Sequence, residues 1–147
     1  MRRRGLQIHR RTRLWLYSAS LLLFASGACW AWFNHLDQIG GANEPLRQAK
    51  TWLIAIHGFS AVLFVLVLGT LLVGHVRRAW HAHKNRANGG FFLTTVGLLV
   101  LSGYSLYYIG NETFRGAVSQ FHLWLGVASP ALLYWHIRSG TKEVTRD

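Results

Sequence analysis

Cysteine is almost absent from this chain of 147 residues, which contains a single example, Cys29. One thiol cannot form an internal disulfide, a thiol-redox pair or a cysteine-ligated metal cluster. Thiol-oxidising membrane enzymes built from four helices, which need paired cysteines, are therefore excluded.

Acidic residues are scarce as well, with five Asp and Glu in total, whereas hydrophobic residues make up 51% of the chain. The apolar residues fall into four blocks, at about 14–33, 52–76, 91–109 and 117–137, and none of these blocks contains Asp, Glu, Lys or Arg. A helix needs about 20 such residues to cross a bilayer core. We therefore predict an all-α fold: one domain over residues 1–147, forming an integral membrane four-helix bundle with up-down-up-down topology. The connections are expected at about 35–51, 77–90 and 110–116.

The first apolar block also has features of a signal sequence, because Arg10–Cys29 places a cysteine after a short apolar run. Ser26, three places before that cysteine, is unsuitable for lipoprotein processing. We expect this block to remain as an uncleaved first span.

Basic residues are concentrated on one side of the predicted topology. Thirteen of the sixteen Lys and Arg residues precede the first block, lie between the second and third, or follow the fourth. The other two connections hold Arg47, Lys50 and Arg115. This positive-inside pattern predicts a multi-pass protein of a bacterial-type inner membrane with both termini in the cytoplasm. Because topology accounts for the net charge of +11, a nucleic-acid partner is not expected.

Four of the eight histidines lie within or at the ends of the predicted spans. His57 and His75 are 18 residues apart in the second span, which is five whole turns of an α-helix, so both lie on one face. His122 and His136 are 14 residues apart in the fourth span and fall within about 40° of one another. Along the helix axes these separations are roughly 27 Å and 21 Å.

The second and fourth spans run in the same direction, so the histidines form two levels. His57 and His122 are expected near the outer surface, and His75 and His136 near the inner one. Two facing imidazoles at each level are what two stacked haem b groups require as axial iron ligands. Pro130 supplies a possible kink that reconciles the unequal spacings. Cations for the haem propionates are expected from the basic residues that flank these levels: Arg47, Lys50 and Arg115 outside, and Arg77, Arg78 and Arg138 inside. The alternative for the inner arginines is that they only fix the topology.

Several alternatives remain open for these residues. Any one histidine in a span can simply hydrogen-bond a neighbouring helix, although polar groups at that depth are costly and usually functional. His81 and His83 compete for the inner role but lie beyond Arg77 and Arg78, which favours a loop position. The remaining histidines, His9 and His35, flank the first span.

Three segments resemble a known superfamily: IHGFSAVLFVLVLGTLLVGHVRRAW (56–80), LSGYSLYYIG (101–110) and FHLWLGVASPALLYWHI (121–137). They are similar to the b-type cytochrome membrane subunits of respiratory hydrogenases and formate dehydrogenases and to bacterial cytochrome b561. The resemblance implies two haem b groups and electron transfer between a quinone pool and other redox subunits of a larger complex. It does not imply enzyme activity for this chain on its own. Some relatives take a ligand from the first helix, whereas the apolar core of the first block here has no histidine.

Two other functions compete with a di-haem cytochrome. A metal or small-solute permease would use the histidines to line a path, yet the second span offers only Ser60 and Thr70 as hydroxyls between His57 and His75. A membrane anchor subunit of a redox complex, holding one haem or none, would need no facing pairs.

Overall fold

Four helices account for nearly all of the chain in a computed structural model, which describes residues 9–41, 43–81, 83 and 86–144, the last five of these as backbone only. They are α1 (Arg10–Gly40), α2 (Glu44–His81), α3 (Arg86–Ser105) and α4 (Glu112–Val144). No strand occurs among the described residues. The prediction of an all-α fold is therefore confirmed.

Three of these helices, α1, α2 and α3, are long and apolar enough to cross a membrane. The predicted fourth span lies within α4, which has 33 residues but is not among those three. Its hydropathy is reduced by the polar residues that the sequence places inside it, among them Gln120, His122, Ser129 and His136. The fourth span, the up-down topology and the cytoplasmic termini remain predictions.

Apolar side chains face outward and polar ones inward, which is the reverse of a water-soluble protein. Among the described residues the buried hydrophobic ones are Ala19, Leu71 and Val96. The buried polar residues are Ser26, Ser60, Asn88, Thr95 and Ser102, whereas large residues such as Trp15, Leu21 and Leu66 are more than 60% exposed. Lipid chains provide the apolar surroundings that such side chains require.

The helices extend beyond the apolar blocks, and glycine or asparagine residues cap their ends. Gly41 follows α1 with a φ of 76°, a left-handed conformation that glycine adopts without strain, and its N–H donates to the Asp37 carbonyl at 3.2 Å. Asn43 then accepts a hydrogen bond from the Leu46 N–H at 3.0 Å and caps α2. The predicted outer connection at 35–51 is thereby reduced to residues 41–43. Asn111 caps α4 in the same way, through a 2.9 Å bond from the Phe114 N–H.

Helix α2 contains one irregular turn, a π-helical segment over Leu72–Val76. In such a turn each N–H bonds five residues back rather than four, so the turn holds about one more residue than an α-turn. His75 lies inside this segment, and the spacing rule of 3.6 residues per turn does not describe its direction. The C-terminal end of α2 is closed by Arg86, whose Nε and Nη2 donate to the Trp80 carbonyl at 2.9 and 2.6 Å.

Helix α4 continues through Pro130. Proline has no N–H to donate to the carbonyl four residues earlier, that of Gly126. The Ser129 hydroxyl donates to this carbonyl at 2.7 Å and so replaces the missing bond. This substitution satisfies the carbonyl that proline would otherwise leave without a partner inside the helix.

By their contacts the residues form two compact units. The first unit, Arg10–Gly69, contains α1 and most of α2. The second unit contains the described chain from Thr70 onward, with the end of α2, all of α3 and all of α4, and its helix α3 packs along α4.

Candidate functional site

His57 is the predicted iron ligand of the first unit, and its ring is held by the backbone and side chains of α1. Its Nδ1 lies 3.0 Å from the Leu23 carbonyl oxygen and 3.2 Å from Ser26 Oγ. A carbonyl oxygen only accepts hydrogen bonds, so Nδ1 of His57 carries the proton. In a neutral imidazole the lone pair is then on Nε2, the ring nitrogen that can bind a metal.

Gly27 follows Ser26 and provides the space that this ring occupies. A Cβ atom at position 27 would lie 3.0 Å from His57 Cε1 and 3.2 Å from its Nδ1. Contacts this short force the ring to move, so α1 can approach the His57 imidazole because residue 27 has no side chain.

His122 has the same surroundings in the second unit, provided by α3. Its Nδ1 lies 2.9 Å from Ser102 Oγ. Ser102 Oγ also donates to the Leu98 carbonyl at 2.6 Å, so its oxygen accepts from the ring in the His122 tautomer that carries a proton on Nδ1. In that tautomer Nε2 carries the lone pair. The next residue, Gly103, would bring a Cβ atom to 3.0 Å from His122 Cε1.

His136 is also held through Nδ1, but by an amide instead of a hydroxyl. Asn88, on the first turn of α3, is 7% exposed, and its Oδ1 accepts from His136 Nδ1 at 3.2 Å. The Phe92 ring stacks on the imidazole with centroids 5.0 Å apart and planes 12° apart. A Cβ atom at Gly89 would lie at 3.9 Å from His136 Cε1, an ordinary contact distance.

His75 and His136, which the sequence assigns to the inner level, both belong to the second unit. His75 Nδ1 is shielded from solvent. The two assigned to the outer level, His57 and His122, belong to different units.

One arrangement thus occurs three times, and sequence reasoning missed it: a polar residue followed by glycine, facing a histidine of another helix. The pairs are Ser26-Gly27, Ser102-Gly103 and Asn88-Gly89, and we call them polar–glycine pairs. The signal available in the sequence was a polar residue next to glycine inside an apolar helix. It is weak because a serine hydroxyl in such a helix can be satisfied by its own backbone, as Ser20 is by the Leu16 carbonyl at 2.8 Å.

The other histidines are positioned differently. His81 and His83 are exposed, and their Nδ1 atoms lie 2.8 and 3.0 Å from the carbonyls of Arg77 and His81. His35 is exposed on α1 beside Trp32, with ring centroids 6.2 Å apart, and His9 is exposed before α1.

The arginines predicted to meet propionates all lie at the surface: Arg47, Arg77, Arg78, Arg115 and Arg138. Arg78 Nε donates to the Gly74 carbonyl at 2.8 Å, and the Arg138 guanidinium lies 5.8 Å from the Tyr134 ring centroid. Lys50 has another role, since its Nζ contacts Asp37 at 2.7 Å and Asn34 at 2.8 Å and so joins α2 to α1.

A bare metal ion and a haem iron need different numbers of protein ligands. Among the described residues no group of three or more His, Cys, Asp and Glu side chains is placed to hold a metal ion. A haem iron already has the nitrogens of its macrocycle and takes two histidines as axial ligands. Three of the four predicted ligands have an oxygen at hydrogen-bond distance from Nδ1, as metal-binding histidines usually do.

Comparison with known proteins identifies no relative: no family model, no curated protein and no solved structure matches this chain.

Proposed function

We propose that this protein is a membrane di-haem b-type cytochrome that carries electrons between a quinone pool and a partner redox subunit. His57 and His122 would bind an outer haem, and His75 and His136 an inner one. Haem b, when bound, supplies an iron that accepts and releases one electron.

The observation that carries this proposal is the oxygen acceptor placed at Nδ1 of three histidines. His57, His122 and His136 each have Nδ1 committed to an oxygen acceptor from α1 or α3. Each is therefore prepared to offer Nε2 as a neutral ligand, with no need to lose a proton or to turn its ring.

The close approach of helix backbone to the rings supports the same conclusion. Gly27 and Gly103 allow α1 and α3 to lie against His57 and His122, and these contacts restrict the rotation of each imidazole. Orientation of the ring is a main way in which a protein controls an axial ligand. The apolar exterior of the helices is compatible with a position in the bilayer.

The surface arginines would complete the site by neutralising carboxylates. Arg47 and Arg115 occupy equivalent places in their helices, since the N–H of each donates to the carbonyl of the capping asparagine, Asn43 or Asn111. We assign these two to the outer propionates, and Arg77, Arg78 and Arg138 to the inner ones. Guanidinium groups bind carboxylates with two parallel hydrogen bonds.

A partner is needed for function, because the connections leave no space for a soluble redox domain between the helices. Residues 41–43 join α1 to α2, and residues 106–111 join α3 to α4. We propose that other subunits of a respiratory complex in the bacterial-type inner membrane exchange electrons with this chain.

The test is a reduced-minus-oxidised optical spectrum of the detergent-purified protein, with haem quantified as the pyridine haemochrome. We expect a b-type spectrum and about two haems per chain. A protein purified without haem, and unable to take up added haem, would contradict the proposal and favour a permease. A single haem would contradict the two-level arrangement and favour an anchor subunit.

A further inference from the structure

Resting on the proposed function, we infer that Ser26 and Ser102 are positioning residues that lower the reduction potential of the outer haem. Each serine lies at hydrogen-bond distance from Nδ1 of a proposed axial histidine, and Nε2 is the nitrogen that would bind the iron. They are equivalent residues in two different helices, and their two histidines are the proposed ligands of one iron.

The hydroxyls of Ser26 and Ser102 both donate to a carbonyl of their own helix. Ser26 Oγ donates to the Leu22 carbonyl at 2.7 Å, and Ser102 Oγ donates to the Leu98 carbonyl at 2.6 Å. A hydroxyl has one proton, so both oxygens face the histidine as acceptors in the tautomer that carries a proton on Nδ1. Donation to a carbonyl also polarises the hydroxyl and makes its oxygen a better acceptor, since linked hydrogen bonds strengthen one another.

Both serines are buried. Ser26 is 4% exposed and Ser102 is 8% exposed, so water does not replace these acceptors easily. Hydrogen bonds are stronger in such a low-dielectric setting than at a surface. An imidazole whose Nδ1–H is bonded to a good acceptor becomes more basic at Nε2. Greater basicity stabilises the ferric ion more than the ferrous ion and lowers the potential.

Other hydroxyl residues of α1 and α3 make the same hydrogen bond within their helix. Ser20 lies on α1, as Ser26 does, and makes the same bond to the carbonyl four residues earlier. Thr95 likewise stands on α3 with Ser102 and donates to the Phe91 carbonyl at 3.0 Å. Serine or threonine that stabilises a helix therefore occurs in both helices without facing a proposed ligand, and these residues provide matched controls.

The test compares the full-length protein with Ser26→Ala, Ser102→Ala, the double variant and the controls Ser20→Ala and Thr95→Val. Midpoint potentials are measured by redox titration of the haem absorbance, and the low-spin ferric signals by electron paramagnetic resonance. We expect each single Ser→Ala change to raise the potential of the same one of the two haems. The double variant should raise it further, and the controls should leave both potentials unchanged.

Loss of the Ser102 acceptor is also expected to weaken haem binding by about 10- to 100-fold, as for other residues that orient metal ligands. Ser26→Ala leaves the Leu23 carbonyl 3.0 Å from His57 Nδ1 and should weaken haem binding less. If the alanine variants bind too little haem for titration, Ser26→Thr and Ser102→Thr keep the hydroxyl and should keep both the haem and its potential. Threonine variants that lose the haem as alanine variants do would overturn the inference.

Two further results would contradict it. Alanine variants that retain both haems with unchanged potentials would show that the serines act only within their helices. An equal shift of both haems would indicate a general change of fold. A wild-type protein without haem would instead overturn the proposed function, and this inference with it.

Discussion

The first and second units hold their histidines by the same principle but with different atoms. His57 in the first unit has two oxygen neighbours at Nδ1, the Leu23 carbonyl and Ser26 Oγ. His122 in the second unit has Ser102 Oγ, and His136 has the Asn88 amide oxygen. A hydroxyl, an amide and a backbone carbonyl thus serve the same purpose, because each accepts the Nδ1 proton. Glycine next to the acceptor recurs in all three places.

Within this common principle, the two predicted levels differ. The inner level, which lies wholly in the second unit, has a stacked phenylalanine, a buried amide and the π turn around His75. At the outer level helix backbone approaches the rings closely, since a Cβ added at Gly27 or Gly103 would lie 3.0 Å from Cε1 of His57 or His122. At the inner level Gly89 leaves more space, and Phe92 supplies the packing. Outer histidines are therefore more sensitive to glycine replacement than His136.

Replacing the glycines next to the outer histidines should give the largest loss of haem affinity. Gly27→Ala and Gly103→Ala each force an imidazole to move by a few tenths of an ångström, and we expect haem affinity to fall by at least about 10-fold. Gly89→Ala should have much less effect, because its Cβ would make an ordinary contact at 3.9 Å. The measurement is haem content per chain after purification and after titration with added haem.

Gly97→Ala is the matched control, since nothing lies within 4 Å of a Cβ at that position of α3. It should keep the full haem content and increase helix stability slightly. Equal loss of haem in Gly97→Ala and Gly103→Ala would contradict the role assigned to the close approach.

Changing Asn88 should produce the next largest effect and should be confined to the inner haem. Asn88→Leu removes the acceptor of His136 Nδ1–H and leaves a buried donor, which costs about 1–3 kcal/mol. We expect a higher midpoint potential for the haem that the serine variants do not affect. Thr95→Val, on the same helix, tests whether loss of any buried polar group has this result.

The ion pair of the first unit allows a smaller test of how its helices are joined. Lys50 and Asp37 contact at 2.7 Å with side chains 19% and 22% exposed. Partial exposure limits their interaction, and a cycle of Lys50→Gln, Asp37→Asn and the double variant should give a coupling free energy of about 1 kcal/mol or less. Thermal unfolding in detergent is the measurement. Haem content should not change, because this pair lies apart from the proposed ligands, and a variant that loses haem would contradict this separation.

The smallest expected effect concerns the proline of α4. Ser129→Ala removes the donor to the Gly126 carbonyl and should destabilise the helix by roughly 0.5–1.5 kcal/mol, the usual contribution of one hydrogen bond. Ser129→Ala combined with Pro130→Ala should recover stability, because residue 130 then supplies its own N–H. Failure of the double variant to recover would show that Ser129 acts elsewhere.

Composition was sufficient to predict the helices but not their ends. Four charge-free apolar blocks indicated four helices, since lipid leaves few other structures available. The ends depend on caps at Gly41, Asn43 and Asn111. Glycine and asparagine are also common in loops, so the sequence alone does not show that these residues end or begin a helix. The predicted connections were consequently longer than the observed ones.

The histidines were identifiable in the sequence, whereas their hydrogen-bond partners were not. His57 and His122 are unusual in apolar spans, and their spacing could be measured by counting. Ser26 and Ser102 give no comparable signal, because the direction in which a serine faces depends on how two helices pack. The π turn at Leu72–Val76 was also not predictable, since no local composition distinguishes it from the α-helix on either side.

The most direct test of the proposed site is the pattern of haem loss in single His→Ala variants, followed by the two low-spin electron paramagnetic resonance signals. We expect His57→Ala and His122→Ala to remove one and the same signal, and His75→Ala and His136→Ala to remove the other. His81→Ala and His83→Ala should retain both signals. Retention of both haems in all four ligand variants, or loss through His81 or His83 instead, would contradict the assignment.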